Sequence, residues 1–254
     1  MADADTQGEG SRDGYKGLTF KRLYTQEGDD VYTSTPMRTT DVVIEDAEGK
    51  VTYRQDGVKV PESWSDQAAK VVSSKYLKDK IDGEDEKEYD TNQLVSRVAD
   101  TIADQGVEQG YFDAEQGRVF RDELAHILLD QRASFNSPVW FNTGLGQKYG
   151  FEATSDETFH AAWDPETGGY THEADIYQRP QVSACFISSV DDNMGSILDV
   201  SKREAMLFKW GSGNGANFST LRGYHEPLSH GGKASGLMYF LKGFDVWAGV
   251  IKSG

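Results

Sequence analysis

The feature that most restricts the fold is a change of rhythm near residue 181. From there the chain alternates short apolar runs with amphipathic helical stretches. The run Val182-Ser183-Ala184-Cys185-Phe186-Ile187 is strand-like. Asp191-Asp192 then supplies an N-cap for a helix with Met194, Ile197, Leu198, Ser201, Ala205 and Phe208 facing inward. The cluster Gly211-Ser212-Gly213-Asn214-Gly215 ends that helix, and residues 216–221 read as a second strand. A second helix follows, with Leu237, Leu241, Phe244, Ala248 and Ile251 at spacings of 4, 3, 4 and 3. Strand, helix, strand, helix is the order of an α/β core, in which parallel strands and right-handed crossovers are expected.

Upstream the pattern differs. Residues 1–14 are polar and Gly-rich and cannot offset chain entropy by burial, so they read as a disordered tail. Residues 15–132 read as an N-terminal region in which 41–44 and 51–53 flank a turn and suggest a small β-hairpin. Leu94, Val95, Val98 and Ile102 mark one helical face ending near Gly106, and Phe120, Leu124, Ile127 and Leu128 mark another, so 60–132 reads as mostly helical. Residues 133–254 hold the α/β part, with a loop insertion near 151–180 that has no sustained period. At 254 residues the chain fits one large domain with a smaller attached piece.

Charge sharpens this division. The net charge is −16, with 16 basic and 29 acidic side chains in residues 1–130 but 10 and 13 in residues 131–254. Such an acidic surface disfavours nucleic-acid binding. The acid run at 82–86 is either a salt-adapted skin or, more simply, a local flexible insertion. One cysteine, Cys185, allows neither an intrachain disulfide nor a Cys-based zinc cluster, and points to a cytoplasmic protein. No stretch reads as a signal peptide or a membrane span; the most apolar tract, 236–251, is broken by Lys242 and Asp245.

Motifs taken singly are weak. The Gly-x-Gly-x-Gly run at 211–215 passes from helix to strand and meets neither dinucleotide-binding nor P-loop fingerprints. It reads as a helix C-cap and tight turn, or as a place where a ligand approaches backbone closely. Cys185 in an apolar run reads as a small buried hydrophobe unless a redox or proton-accepting partner exists. The histidines 126, 160, 172, 225 and 230 are scattered, and His172-Glu173-x-Asp175 would ligate a metal only with help from elsewhere, so no metal site is assigned.

Taken jointly, the motifs resemble a known family. Phe135-Asn136-Ser137-Pro138-Val139-Trp140-Phe141-Asn142, Gln181-Val182-Ser183-Ala184-Cys185-Phe186, the 211–215 cluster followed by Phe218-Ser219-x-Leu221-Arg222, and Gly231-Gly232-Lys233-Ala234-Ser235-Gly236 resemble, in order and spacing, the catalytic chain of ribonucleotide reductases. Val58-x-Val60-Pro61-x-x-Trp64-Ser65 and Ser74-Lys75-Tyr76 resemble the adenosylcobalamin-dependent (class II) members. The likeness runs from about residue 40 to 254.

The resemblance implies an α/β protein whose helical N-terminal region is followed by the first strands of a ten-stranded α/β barrel, incomplete in this chain. It implies that Cys185 is one half of the redox pair that reduces the ribose 2′ position. Ser137, Ala184 and Gly213 match positions touching the substrate ribose or phosphates. Asp192 matches a carboxylate holding the ribose of a deoxynucleotide effector, Arg222 a residue near that effector's phosphates, and 223–235 a loop the effector orders at a dimer interface. A homodimer, a thioredoxin-type reductant and adenosylcobalamin are implied as well. The bland alternatives are that Asp192 is an N-cap, Arg222 a surface pair and Ser137 a pre-proline turn residue.

The family also needs a second redox cysteine, a third cysteine for the thiyl radical and an Asn-x-Cys-x-Glu segment, and none occurs here. The expectation is therefore a piece of a reductase, as a fragment, a split-gene product or an extein half, inactive without the missing C-terminal part. Three alternatives remain: a class I large chain, which an N-terminal regulatory nucleotide domain not seen in residues 1–60 would favour; a non-catalytic nucleotide-binding module, which the missing cysteines favour; and a plain structural α/β domain, for which Cys185→Ser would change no phenotype.

Overall fold

The computed structural model describes residues 17–79, 87–152, 161–164, 167–171 and 175–251. The 1–14 tail and the acid run at 82–86 lie outside these residues, as do His160, His172 and Glu173.

A first core is built from a hairpin and helices. After the single turn α1 (Val31–Ser34), capped by Asp30, strands β1 (Met37–Glu45) and β2 (Val51–Pro61) pair antiparallel. The hairpin is far longer than the two short runs that suggested it, and β2 extends to Pro61, so helix begins only at α2 (Asp66–Lys75). Ser65 caps α2 by accepting from the Ala68 N–H at 3.1 Å, and Ala69, Val72 and Ser73 form its buried face at the i, i+3, i+4 spacing. Helix α3 (Thr91–Glu108) opens on a capping box of Asp90 and Gln93, and α4 (Ala114–Leu129) on Asp113. Val42, Val58 and Val60 of the hairpin meet Leu94, Val95 and Val98 of α3 and Ala125, Leu128 and Leu129 of α4 in one cluster. The Trp64 indole N–H donates to the Leu129 carbonyl at 2.7 Å, tying the entry of α2 to the exit of α4.

Two short helices close this core. Helix α5 (Ser137–Asn142) starts at Asn136 with Pro138 in its first turn, and its Val139 and Trp140 join the same cluster. Helix α6 (Leu145–Tyr149) follows across Gly144, whose φ of +80° and position against Arg97 leave no room for a side chain: a Cβ there would stand 2.4 Å from the Arg97 carbonyl oxygen. Arg97 is fully buried. Its guanidinium donates to Glu88 at 2.9 Å and to the carbonyls of Thr143 (2.6 Å) and Trp140 (3.1 Å). Glu88, also buried, accepts from the Tyr149 hydroxyl at 2.7 Å and the Lys78 N–H at 2.8 Å. Burial first, then the adjacent Glu88 carboxylate, pushes the Tyr149 hydroxyl well above the usual phenol range.

The insertion contains a small hairpin of β3 (Ala162–Asp164) and β4 (Gly169–Thr171), with Trp163 and Tyr170 paired across it.

The α/β part is confirmed in order and corrected in detail. Strand β5 (Cys185–Ser189), helix α7 (Met194–Lys209), strand β6 (Gly213–Asn217) and helix α8 (Leu237–Val250) follow one another, and β5 and β6 are parallel. The second strand begins on the glycines themselves, three residues before the expected 216–221. The cap of α7 is Asn193, which accepts from the Ser196 N–H at 2.9 Å, and not Asp191 or Asp192. Met194 and Leu198 are exposed; Ile197 and Val200 face inward, joining Val190 and Phe244 in a second core. At the other end α7 stops as expected: Gly211 takes φ +78°, its N–H reaches the Phe208 carbonyl and the Ser212 N–H that of Leu207. No helix among the described residues is long and apolar enough to cross a membrane.

Candidate active site

Cys185 opens β5 directly opposite Gly213, which opens β6, and the Gly213 N–H donates to the Ala184 carbonyl at 2.6 Å. Three of the sequence-predicted residues, Ala184, Cys185 and Gly213, therefore meet at one end of the ladder. Alternation along β5 sends Phe186 and the buried Ser188 to one face and Cys185, Ile187 and Ser189 to the other. That second face is open: the thiol is exposed and Ile187 is 93% exposed. Cys185 is not the buried hydrophobe that its apolar neighbours suggest.

Glycine at 213 has no internal explanation. Its φ is not left-handed, and a Cβ would meet nothing nearer than the Ala184 carbonyl oxygen at 3.7 Å, an ordinary contact. Gly215 is similar, at 3.9 Å from the Phe186 carbonyl oxygen. Glycine weakens a strand, and these two leave the backbone bare beside the exposed thiol.

Ser137 stands at the start of α5, where its hydroxyl lies 3.1 Å from that of Tyr76, whose ring stacks on Phe141 at 5.4 Å. At the far end of α5, Asn142 donates to the Gln181 carbonyl at 2.9 Å, and the Phe141 ring lies 3.1 Å from where a Cβ on Gly211 would be. Helix α5 thus joins Ser137 to the segment leading into Cys185 and to the glycine turn. Sequence reasoning marked Tyr76 only as a family signature and did not place it against Ser137; Asn142 gave no signal beyond membership of its motif.

Asp192 and Arg222 sit past the opposite end of the ladder and engage each other. The Arg222 Nε–H donates to Asp192 Oδ2 at 2.6 Å, and the Arg222 backbone N–H points at Oδ1 at 3.3 Å. The guanidinium hydrogen bond holds the Asp192 carboxyl below the usual carboxylate range. A depressed carboxyl supports the fold above its unfolded value and loses that support as pH falls through the folded one. Arg222→Ala is expected to raise the Asp192 titration toward the ordinary carboxylate range, as followed by carbon-13 NMR of the carboxyl; an unmoved midpoint would show that the pair is not what lowers it.

Among the described residues no cluster of His, Cys, Asp or Glu is arranged to hold a metal ion. Two clefts, of about 660 and 470 Å3, lie at β1–α2 and along β2, lined by residues such as Lys70, Lys75 and Glu45 in the first and Arg54, Lys87 and Tyr89 in the second. Neither includes Cys185 or Gly213.

Residues 38–131 match the family profile described as class II vitamin B12-dependent ribonucleotide reductase, and residues 183–254 the profile described as ribonucleotide reductase, barrel domain. A vitamin B12-dependent ribonucleotide reductase of Rhodopirellula baltica is 41% identical over 240 residues, covering 94% of this chain and 23% of the relative. One from Agrobacterium fabrum is 39% identical over 273 residues, covering 93% and 21%. The solved class Id ribonucleotide reductase alpha subunit of Actinobacillus ureae is similar at TM-score 0.42 and 19% identity, over 71% of this chain and 25% of that one, a likeness too slight to carry an argument about the fold. The chain spans under a quarter of the length of the two curated relatives. With a class II profile over residues 38–131, a barrel profile that begins two residues before Cys185, and about 40% identity along nearly its whole length to two B12-dependent enzymes, the chain is similar to part of the class II vitamin B12-dependent ribonucleotide reductases.

Proposed function

We propose that this chain is the N-terminal part of an enzyme that reduces ribonucleotides to deoxyribonucleotides in the cytoplasm for DNA synthesis, with residues 15–132 as its helical N-terminal region and 133–254 as the start of a ten-stranded barrel. The observation that carries the reading is the end of the ladder: an exposed thiol opposite a glycine that the fold itself does not require. In this reading Cys185 gives one of the two thiols whose oxidation to a disulfide replaces the ribose 2′ C–O bond by C–H and releases water. The bare backbone at Ala184 and Gly213 and the Ser137 hydroxyl receive the ribose and phosphates. A thioredoxin-type reductant returns the disulfide to thiols.

Asp192 and Arg222 are proposed to bind a deoxynucleotide effector. A carboxylate accepts from two sugar hydroxyls and a guanidinium donates to phosphate. Their mutual ion pair occupies both groups without a ligand, so binding would exchange one set of charge-assisted bonds for another. The 223–235 loop and a homodimer interface complete this regulatory half.

The relatives are named for vitamin B12, and adenosylcobalamin is the cofactor proposed. Neither cleft includes Cys185 or Gly213, so no residue of this chain is assigned to hold the corrin and no step is routed through it. Reconstitution tests the function: this chain, joined to the remaining length of its relatives and given adenosylcobalamin, a dithiol and a ribonucleotide, is expected to form deoxynucleotide, whereas this chain alone forms none. Turnover by this chain alone would overturn the reading.

A further inference from the structure

Among the described residues β5 and β6 pair only with each other, over five residue pairs, and a slip of one residue in that register would turn Cys185 to the opposite face. The hydrogen bonds just before the ladder bear on that register. Residues 181–184 are irregular, yet the Gln181 side chain binds both backbone groups of Ser183: its Oε1 accepts from the Ser183 N–H, and its Nε2 donates to the Ser183 carbonyl at 2.9 Å. The same Nε2 donates to Ser212 Oγ, which in turn donates to the Ser183 carbonyl at 2.7 Å. Ser212 is buried, and its own N–H closes the end of α7 on the Leu207 carbonyl at 2.9 Å. Gln181 is held from the other side by Asn142 of α5. The next rung after this knot is the Gly213 N–H to the Ala184 carbonyl.

We propose that Gln181 and Ser212 are positioning residues forming a register latch: anchored on α5 and α7 respectively, their side chains bind one another and Ser183 so that Cys185 stands opposite Gly213. The latch is a property of the backbone, and its effect on turnover rests on the reductase reading above. Because both strands would otherwise be joined at this end by the single Gly213–Ala184 bond, loss of either side chain frees the same rung.

Gln181→Leu, Ser212→Ala and the double variant test this by amide hydrogen exchange on the chain and by steady-state kinetics on the full-length enzyme. Each single change is expected to quicken exchange at Gly213 about 10-fold with α3 amides unchanged, the double being no faster than the faster single. In turnover, kcat is expected to fall about 10-fold with KM within about 2-fold. Unchanged exchange at Gly213 in both single variants, equal quickening across α3, or a raised KM at unchanged kcat would each overturn the latch. If the unsubstituted full-length enzyme reduces no ribonucleotide, the reductase reading falls instead, and the exchange data alone decide the latch.

Discussion

Replacing Arg97 by methionine is expected to cost about 3–5 kcal/mol of folding stability, the range for removing one partner of a buried ion pair. The pair has a side-chain exposure of 1% for Arg97 and 0% for Glu88, so solvent screening does not soften the loss. Methionine fills much of the volume, so the cost is electrostatic and polar. Glu88 would keep only the Tyr149 hydroxyl and the Lys78 N–H, and the carbonyls of Trp140 and Thr143 would lose their donor. These carbonyls end α5, the helix that carries Ser137 and Asn142. For a chain of this size the loss corresponds to a fall in Tm of about 6–20 °C, measurable by calorimetry. Adding Glu88→Leu should recover part of the loss, because no charge is then left unpaired, though the two carbonyls still go unsatisfied. A single variant within about 1 kcal/mol of the parent would refute the assignment of this pair as the anchor of α5.

That anchor was invisible in the sequence for a physical reason. Glu88 and Arg97 lie nine residues apart, outside any helical spacing, and one precedes the helix that carries the other. Their pairing depends on the path of the chain around Asp90, a tertiary matter. The helices themselves were legible because Leu94, Val95 and Val98 repeat at helical intervals and Gly211 supplies the left-handed turn that ends α7. Strand β6 was misplaced because Gly213-Asn214-Gly215 has no intrinsic preference for extended structure. It is a strand because β5 and α7 flank it. The inward face of α7 was misjudged for a related cause. Met194 and Leu198 are as apolar as Ile197 and Val200, and periodicity alone does not say which apolar stripe meets this chain's own core. Cys185 is the sharpest case: Cys-Phe-Ile reads as interior from either direction, and only alternation in the folded strand places the thiol on the open face.

That placement carries the second large effect. If the proposed reductase function holds, Cys185→Ser in the full-length protein is expected to lower multiple turnover by at least about 1,000-fold, because in that reading an oxygen in place of sulfur cannot close the disulfide that supplies two electrons to the ribose. In this chain by itself the same change should leave stability within about 0.5 kcal/mol, since an exposed side chain in no core cluster gives up little burial. Nucleotide affinity should stay within about 2-fold, because substrate contacts in this reading are made by backbone and hydroxyl groups. Gly213→Ala should behave in the opposite way. The fold tolerates the methyl, at 3.7 Å from the Ala184 carbonyl oxygen, yet in the proposed reading the methyl enters substrate space, so KM is expected to rise while the thiol remains intact. The contrast separates chemistry from binding at neighbouring positions on one ladder rung. If Cys185→Ser retained multiple turnover within about 10-fold of the parent, a redox role for this thiol would be untenable, and its exposure beside two unneeded glycines would require another explanation.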